Sequence, residues 1–212
     1  MIHIDKACIA DMEVARFPGK IVVIDTDEKA DAAYEHLCRE AVVGLDTETR
    51  PSFKKGVVHQ VALVQISTWD TCYLFRLCKM SSLHTIKRIL ESKKILKIGL
   101  SLKDDFHGLH RLDEIEPHHY IELQQFVAAY DIDEMSLQKV YAILFGRKIS
   151  KSQQLSNWEA AELTPAQQLY AATDAWSCLH IYRALQGEHI PNIYPPVLPI
   201  TGTVDPKPFI QK

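Results

Sequence analysis

Two carboxylates stand close together at the end of an apolar run in the first quarter of the chain. Asp46 and Glu48 are two residues apart in the run AVVGLDTET at 41–49, whose composition predicts a strand. Side chains two apart on a strand point to the same face, so both carboxylates project together. Paired carboxylates can hold Mg²⁺ or Mn²⁺, and two such ions can clamp the attacking and leaving oxygens of a phosphoryl displacement. On its own, however, an Asp-x-Glu pair after a strand is usually a turn or a solvated edge.

A tyrosine and a third carboxylate share one face of a predicted helix near the end of the chain. Tyr170 and Asp174 are four residues apart, in a helix expected at 165–185 with Thr164 as its cap. The simpler alternative is a surface tyrosine bonded to a nearby aspartate. Alanines on both sides of Asp174 would let this helix approach the sheet closely, which favours a buried carboxylate.

A fourth carboxylate follows a predicted strand and a glycine turn at 97–106. Asp104 and Asp105 both lie where a helix begins, near the carboxyl end of the sheet, and open α/β sheets bind ligands at that edge. One of the two is expected to be a first-turn residue that favours the helix dipole. The segment alone does not choose between them.

The elements that must position these residues follow a recognisable order. A strand at 20–25 and a helix at 27–39 precede three strand-like runs with short breaks, which predict an antiparallel meander. Strands and helices then alternate, which predicts parallel additions to the sheet. The fold class expected is α/β, a ribonuclease H-like mixed sheet of three antiparallel strands followed by parallel additions, flanked by helices. Strands are predicted at 41–49, 57–67, 71–77, 94–98 and 120–123, and helices at 81–91, 101–112, 122–130, 136–145 and 165–185.

The bulk properties fit one compact domain at 1–188 followed by a proline-rich tail at 189–212. Six of the ten prolines fall in that tail, so we expect an extended strap or a partly disordered end. Neither a membrane span nor a secretory signal is visible, and we expect a cytoplasmic protein. Five scattered cysteines argue against a disulfide framework and a structural zinc site. A net charge of −3 is unusual for a nucleic-acid partner unless carboxylates are concentrated at a metal site.

Together, three segments resemble the motifs of the DEDD superfamily of 3′-5′ exonucleases. The resemblance is to the tyrosine-containing branch that includes ribonuclease D and the Werner-type exonuclease domain, and it covers about residues 42–185. The segments are GLDTETRPSF at 44–53, KIGLSLKDDFHGL at 97–109 and LSNWEAAELTPAQQLYAATDAW at 155–176. Alignment on the lysine, glycine and closing leucine of the second motif assigns the family aspartate to Asp105 rather than Asp104.

The resemblance implies stepwise hydrolysis from the 3′ end of DNA or RNA, with release of nucleoside 5′-monophosphates. It implies two divalent cations, Mg²⁺ or Mn²⁺. Asp46 is expected to bridge both ions, Glu48 and Asp174 to hold the ion that binds the nucleophilic water, and Asp105 to support the second. Tyr170 is expected to orient that water.

Other residues are candidates for nucleic-acid contact. Phe53 could stack on the terminal base or pack in the core. Lys151, with Arg147 and Lys148, could follow the phosphate backbone or form a solvated surface. Trp158 is a weaker candidate, since a packing role suits it better. Two alternatives remain open: a non-catalytic nucleic-acid-binding or scaffolding domain, and a ribonuclease H-like endonuclease. The choice between DNA and RNA, the protein partners and the oligomeric state do not follow from the sequence.

Overall fold

A single mixed sheet forms the centre of the computed structural model, which describes residues 1–54, 56–188, 194–198 and 202–211. Within these residues the sheet has six strands in the order β1-β4-β3-β2-β5-β6. The strands are β1 (Lys20–Ile24), β2 (Val42–Thr49), β3 (Val61–Ser67), β4 (Thr71–Arg76), β5 (Leu96–Gly99) and β6 (Tyr120–Glu122).

The pairing confirms the predicted order of antiparallel and parallel strands. Strands β2, β3 and β4 form an antiparallel meander, and β5 and β6 add to β2 in parallel. Strand β1 pairs in parallel with β4, a position that the sequence did not predict. The predicted start of the second meander strand at 57 is wrong. A register shift after Glu48 ends the β2–β3 ladder at the Thr49–Val61 pair, so residues 57–60 have no strand to pair with.

Helices cover both faces of the sheet and enclose two apolar cores. One core lies between the sheet and the last three helices, and the other lies beneath the second to fourth helices. The first helix was not predicted; it is one short turn beside the sixth. No helix among the described residues is long and apolar enough to cross a membrane. The helices are α1 (Lys6–Ala10), α2 (Asp27–Leu37), α3 (His84–Leu90), α4 (Leu102–His110), α5 (Leu123–Ala128), α6 (Leu137–Phe145) and α7 (Pro165–Leu185).

The described parts of the proline-rich tail pack on the body. Gln211 forms an isolated antiparallel bridge with Tyr120 beside β6, and the Phe209 ring meets the Phe126 ring edge-on at 5.3 Å. The Val197 N–H donates to the Leu144 carbonyl at the end of α6. Within these parts Lys207–Phe209 form one turn of 3₁₀ helix, so the described tail is not extended throughout. Residues 189–193, 199–201 and 212 of the predicted tail lie outside the described residues.

Candidate active site

Close packing of α7 on β2 brings the first and third motifs together. Gly44, two residues before Asp46, meets the backbone of Ala175, the neighbour of Asp174. A Cβ atom at Gly44 would lie 2.0 Å from the Ala175 carbonyl oxygen, so only glycine fits there. The absence of a side chain at Gly44 therefore sets the distance between the strand and the helix that carry the carboxylates.

Three carboxylates converge at this contact. Asp46, Glu48 and Asp174 each offer an oxygen, and these oxygens all lie within 4.8 Å of one another. Asp46 and Glu48 project from the same face of β2, as their spacing predicted. They line a cleft of about 350 Å³ together with Tyr170 and Lys151.

Burial and mutual repulsion make the ionised form of these carboxyls unfavourable. Burial, followed by the charges of Asp105, Asp174 and Glu48, raises the pKa of Asp46 well above its usual range. Burial, followed by the charges of Asp174 and Asp105, raises the pKa of Glu48 to about 9. Burial raises the pKa of Asp174 to about 7, although the Tyr170 hydroxyl and the Lys151 ammonium oppose that rise. A site with this much uncompensated acid is suited to bind positive charge.

A divalent cation fits this donor set. Three carboxylates supply hard oxygen ligands, which Mg²⁺ and Mn²⁺ prefer. The Oδ1 atom of Asp174 is buried and has no hydrogen-bond partner among the described residues. Buried polar atoms without a partner are rare in folded proteins, and a bound ion would satisfy this one.

Asp105 lies beside this group rather than within it. Its carboxylate accepts a hydrogen bond from the Thr47 hydroxyl, the residue between Asp46 and Glu48. Burial raises the pKa of Asp105 to about 7, and the Thr47 bond opposes that rise. Its oxygens are not among the three that meet within 4.8 Å. Asp104 is exposed, so the geometry favours Asp105 as the motif residue.

Glu122 fixes the start of the helix that carries Asp105, a role that the sequence did not reveal. The N–H groups of Ser101 and Leu102 donate to its carboxylate at 3.0 and 2.8 Å. Ser101 has a φ of 66°, so the turn into α4 is itself unusual. The carboxylate belongs to β6, on a neighbouring strand, and only the parallel pairing of β5 with β6 brings it there. No local sequence signal marks this contact.

Tyr170 is half-buried in the cleft beside Asp174. Burial, with the charges of Asp174 and Glu48, raises the pKa of its phenol above the usual range, so the hydroxyl remains a hydrogen-bond donor. The Trp158 ring lies 5.9 Å from the Tyr170 ring. Trp158 is 0% exposed, which corrects its inclusion among nucleic-acid contacts. Its indole packs beneath the site because the loop before α7 folds inward.

The other residues predicted to contact nucleic acid differ in how exposed their side chains are and in whether they already have partners. Phe53 is 84% exposed, which excludes core packing and leaves the ring free to stack. Lys151 is exposed at the mouth of the cleft. Arg147 instead pairs with Glu13 at 2.6 Å, and the Lys148 ammonium donates to the Ala10 carbonyl. These last two cations therefore hold the N-terminal segment.

A loop at 157–163 precedes α7, the helix that carries Tyr170, and Arg76 of β4 bonds to this loop. The Arg76 guanidinium donates to the carbonyls of Ala160 and Ala161, and the second of these bonds is 2.8 Å long. Thr164 and Gln167 then form a reciprocal capping box at the start of α7, with Pro165 in its first turn. The predicted cap is confirmed, and it fixes where the tyrosine helix begins.

Comparisons with known proteins agree with these motifs. The family described as 3′-5′ exonuclease matches residues 21–189. The bifunctional 3′-5′ exonuclease/ATP-dependent helicase WRN of Mus musculus is 32% identical over 200 residues, which are 85% of this chain and 14% of that protein. The chain therefore spans about a seventh of this curated relative. The predicted family resemblance is confirmed.

Solved structures show the same fold. Ribonuclease D of Escherichia coli superposes with a TM-score of 0.69 at 24% identity, over 77% of this chain and 43% of that one. Ribonuclease D of Trypanosoma brucei, solved in complex with RNA U12, gives a TM-score of 0.71 at 20% identity over 84% and 65% of the two chains. The ribonuclease H-like class predicted from the order of elements is confirmed as a ribonuclease D-like mixed sheet.

Proposed function

Since this chain belongs to the 3′-5′ exonuclease family, we propose that it hydrolyses the terminal phosphodiester bond at the 3′ end of a nucleic acid, one nucleotide at a time. The products are nucleoside 5′-monophosphates. One observation carries the proposal: the carboxylate oxygens of Asp46, Glu48 and Asp174 meet within 4.8 Å in an open cleft. A negatively charged phosphate group can bind beside these carboxylates only when bound cations reverse the local sign of the charge.

The cofactor that we propose is a pair of divalent cations, Mg²⁺ or Mn²⁺. Asp46, Glu48 and Asp174 would hold them, with Asp105 as a further ligand reached from α4. When bound, such ions make water nucleophilic at neutral pH and neutralise the developing charge on the phosphate. The two-ion arrangement and the ligand roles of the four acids are part of the proposal.

The chain's own groups orient the reactants. The Tyr170 hydroxyl, protonated and beside Asp174, would donate a hydrogen bond to the attacking water and fix its direction; the raised pKa of its phenol supports this role. Lys151 at the cleft mouth offers a positive charge to a phosphate oxygen. Phe53, exposed on the loop after β2, offers a face on which the terminal base can stack.

The proposed substrate is a single-stranded or 3′-ended DNA or RNA. Binding of RNA by a fold relative supports nucleic acid as the partner class. The Tyr170–Asp174 pair, which the resemblance links to end-directed hydrolysis, favours an exonuclease over a ribonuclease H-like endonuclease. We also propose that residues 1–188 act as one domain with the tail strapped to it, and that the protein works in the cytoplasm.

The test is digestion of matched 5′-labelled single-stranded DNA and RNA with Mg²⁺, Mn²⁺ or EDTA. Native protein and Asp46→Ala are compared, and circular dichroism verifies that both are folded. We expect a ladder that shortens from the 3′ end with either ion, is absent with EDTA and is lost in Asp46→Ala. Internal cuts or 3′-phosphate products would contradict the mechanism.

The same digestion also tests which of two adjacent aspartates is essential for activity. Asp104→Asn and Asp105→Asn are made separately, and we expect loss of activity in Asp105→Asn alone. Equal losses in both variants would leave the assignment of Asp105 unsupported.

Folded native protein that binds the strand but releases no nucleotide with any ion would favour the non-catalytic binding or scaffolding domain.

A further inference from the structure

A second cleft lies next to the carboxylate site, on the side of the N-terminal segment. Its volume is about 550 Å³, and it shares Gln138, Ile149, Ser150 and Lys151 with the carboxylate cleft. The two clefts therefore adjoin at Gln138 of α6 and the loop that follows this helix. Lys6 on α1 stands at the other side of this second cleft, which we call the basic groove.

The charge of the basic groove is opposite to that of the site. Lys6, Lys148 and Lys151 line it, and no Asp or Glu does so among the described residues. Lys6 and Lys151 are exposed, and neither makes an ion pair with the described part of the chain. In a protein with a net charge of −3, a groove lined by three lysines and no acid is a local excess of positive charge.

The N-terminal wall of the basic groove is held in a fixed place. Val14 and Lys148 form a parallel bridge, with the Ala15 N–H donating to the Lys148 carbonyl at 2.8 Å and the Lys148 N–H donating to the Glu13 carbonyl at 3.0 Å. Ile9 of α1 is buried at 3% exposure. The residues of this wall precede position 21, where the family match begins. The groove is thus partly built by a segment outside the matched domain.

We propose that the basic groove binds the phosphodiester backbone on the 5′ side of the terminal nucleotide, an inference that rests on the proposed function. Lys151, at the junction of the two clefts, contacts the phosphates nearest the site. Lys6 contacts a phosphate farther along the strand. The contacts are to the backbone, since lysines read phosphate charge and not base identity. The groove therefore makes binding depend on strand length.

A length-dependent assay tests this proposal. Hydrolysis of a dinucleotide and an octanucleotide of the same terminal sequence is measured for native protein, Lys6→Ala, Lys6→Glu, Arg16→Ala in the neighbouring cleft, and the control Lys93→Ala. Lys93 is an exposed lysine in the turn before β5, at the opposite end of the strands from the site. We expect Lys6→Ala to raise KM for the octanucleotide roughly two- to fivefold. The reversed charge in Lys6→Glu should raise it further.

The same variants should leave kcat and the hydrolysis of the dinucleotide unchanged, because a dinucleotide is too short to reach Lys6. Loss of one phosphate contact should also reduce the slope of log affinity against log salt by about 0.7 for a single strand. Lys93→Ala should match native protein in every readout.

Two results would overturn the inference. One is an unchanged KM for the octanucleotide in both Lys6 variants. The other is a rise in that KM in Arg16→Ala alone, which would place the strand in the neighbouring cleft lined by Arg16 and Tyr170. Failure of the proposed function looks different, since native protein would then hydrolyse neither substrate.

Discussion

Gly44 controls the distance between the two elements that carry the metal-binding carboxylates. In Gly44→Ala the new methyl group would lie 2.0 Å from the Ala175 carbonyl oxygen, whereas ordinary contacts begin at 3.4 Å. Backbone atoms cannot rotate away, so α7 must move from β2 by about 1 Å or more. A misplacement of about 1 Å at a catalytic centre can cost on the order of 100-fold in rate. Overpacking of this kind costs about 1–3 kcal/mol of unfolding free energy.

We therefore expect Gly44→Ala to remain folded at 25 °C, with a lowered Tm and a kcat reduced roughly 100-fold. It should also need a higher Mn²⁺ concentration for half-maximal activity, because Asp174 moves relative to Asp46. The assay is release of nucleotide from a 5′-labelled strand across a Mn²⁺ titration, at a temperature well below both Tm values.

Gly19→Ala is the matched control. Its Cβ atom would lie 2.1 Å from the Asp70 carbonyl oxygen, a clash as severe as the one at Gly44. Gly19 precedes β1, at the edge of the sheet and separated from β2 by β4 and β3. We expect a similar loss of Tm with activity retained. Equal loss of kcat in the two variants, or full activity in Gly44→Ala, would refute the argument that this contact sets the catalytic geometry.

Three further predictions concern buried charges. Glu122→Gln should lower the unfolding free energy by about 1.5–3 kcal/mol, measured by urea unfolding, because a charged acceptor at the start of α4 becomes neutral. Burial lowers the pKa of Lys97 to about 7, so the unfolded chain holds one more proton than the folded chain between about pH 7 and 10.5. The contribution of Lys97 to the unfolding free energy should therefore rise with pH in that window by up to about 1.4 kcal/mol per unit, and it is measured as the difference between the pH profiles of native protein and Lys97→Met. In metal-free protein the pKa of Glu48 is raised to about 9 and that of Asp174 to about 7, so the folded chain binds more protons than the unfolded chain above about pH 4. The contribution of these carboxyls to the unfolding free energy should therefore fall as pH rises from about 4 to 9. Asp46→Asn should relieve the repulsion between the buried carboxylates and raise the Tm measured in EDTA at pH 8. It should also remove the Tm increase on adding Mn²⁺. A lower Tm in EDTA would contradict this account of the charge balance.

The elements and their order were predictable because periodicity and capping are local signals. The strand at 42–49 carries two carboxylates at its polar end, and the helix at 165–185 opens with a threonine cap and a proline. Spacing on the strand correctly predicted that Asp46 and Glu48 share a face, and the alanines around Asp174 correctly predicted that its carboxylate is buried. These are consequences of backbone geometry, which the sequence specifies directly.

Features that depend on contacts between distant segments were not predictable. Glu122 reaches α4 only through the pairing of β5 with β6, and β1 joins β4 from the start of the chain. The burial of Trp158 follows from the inward fold of a loop that Arg76 holds from β4. The basic groove needs the N-terminal segment to pair with Lys148, more than a hundred residues away. No local pattern reports such long-range contacts.

The central claim is that one cluster of carboxylates both binds divalent cations and supports hydrolysis at the 3′ end. The most direct measurement follows Mn²⁺ binding by electron paramagnetic resonance and nucleotide release in the same samples, for native protein and Asp46→Asn. The account predicts that release rises with bound Mn²⁺ in native protein, and that binding and release are both lost in folded Asp46→Asn. Release in the presence of EDTA, or unchanged Mn²⁺ binding and release in Asp46→Asn, would contradict it.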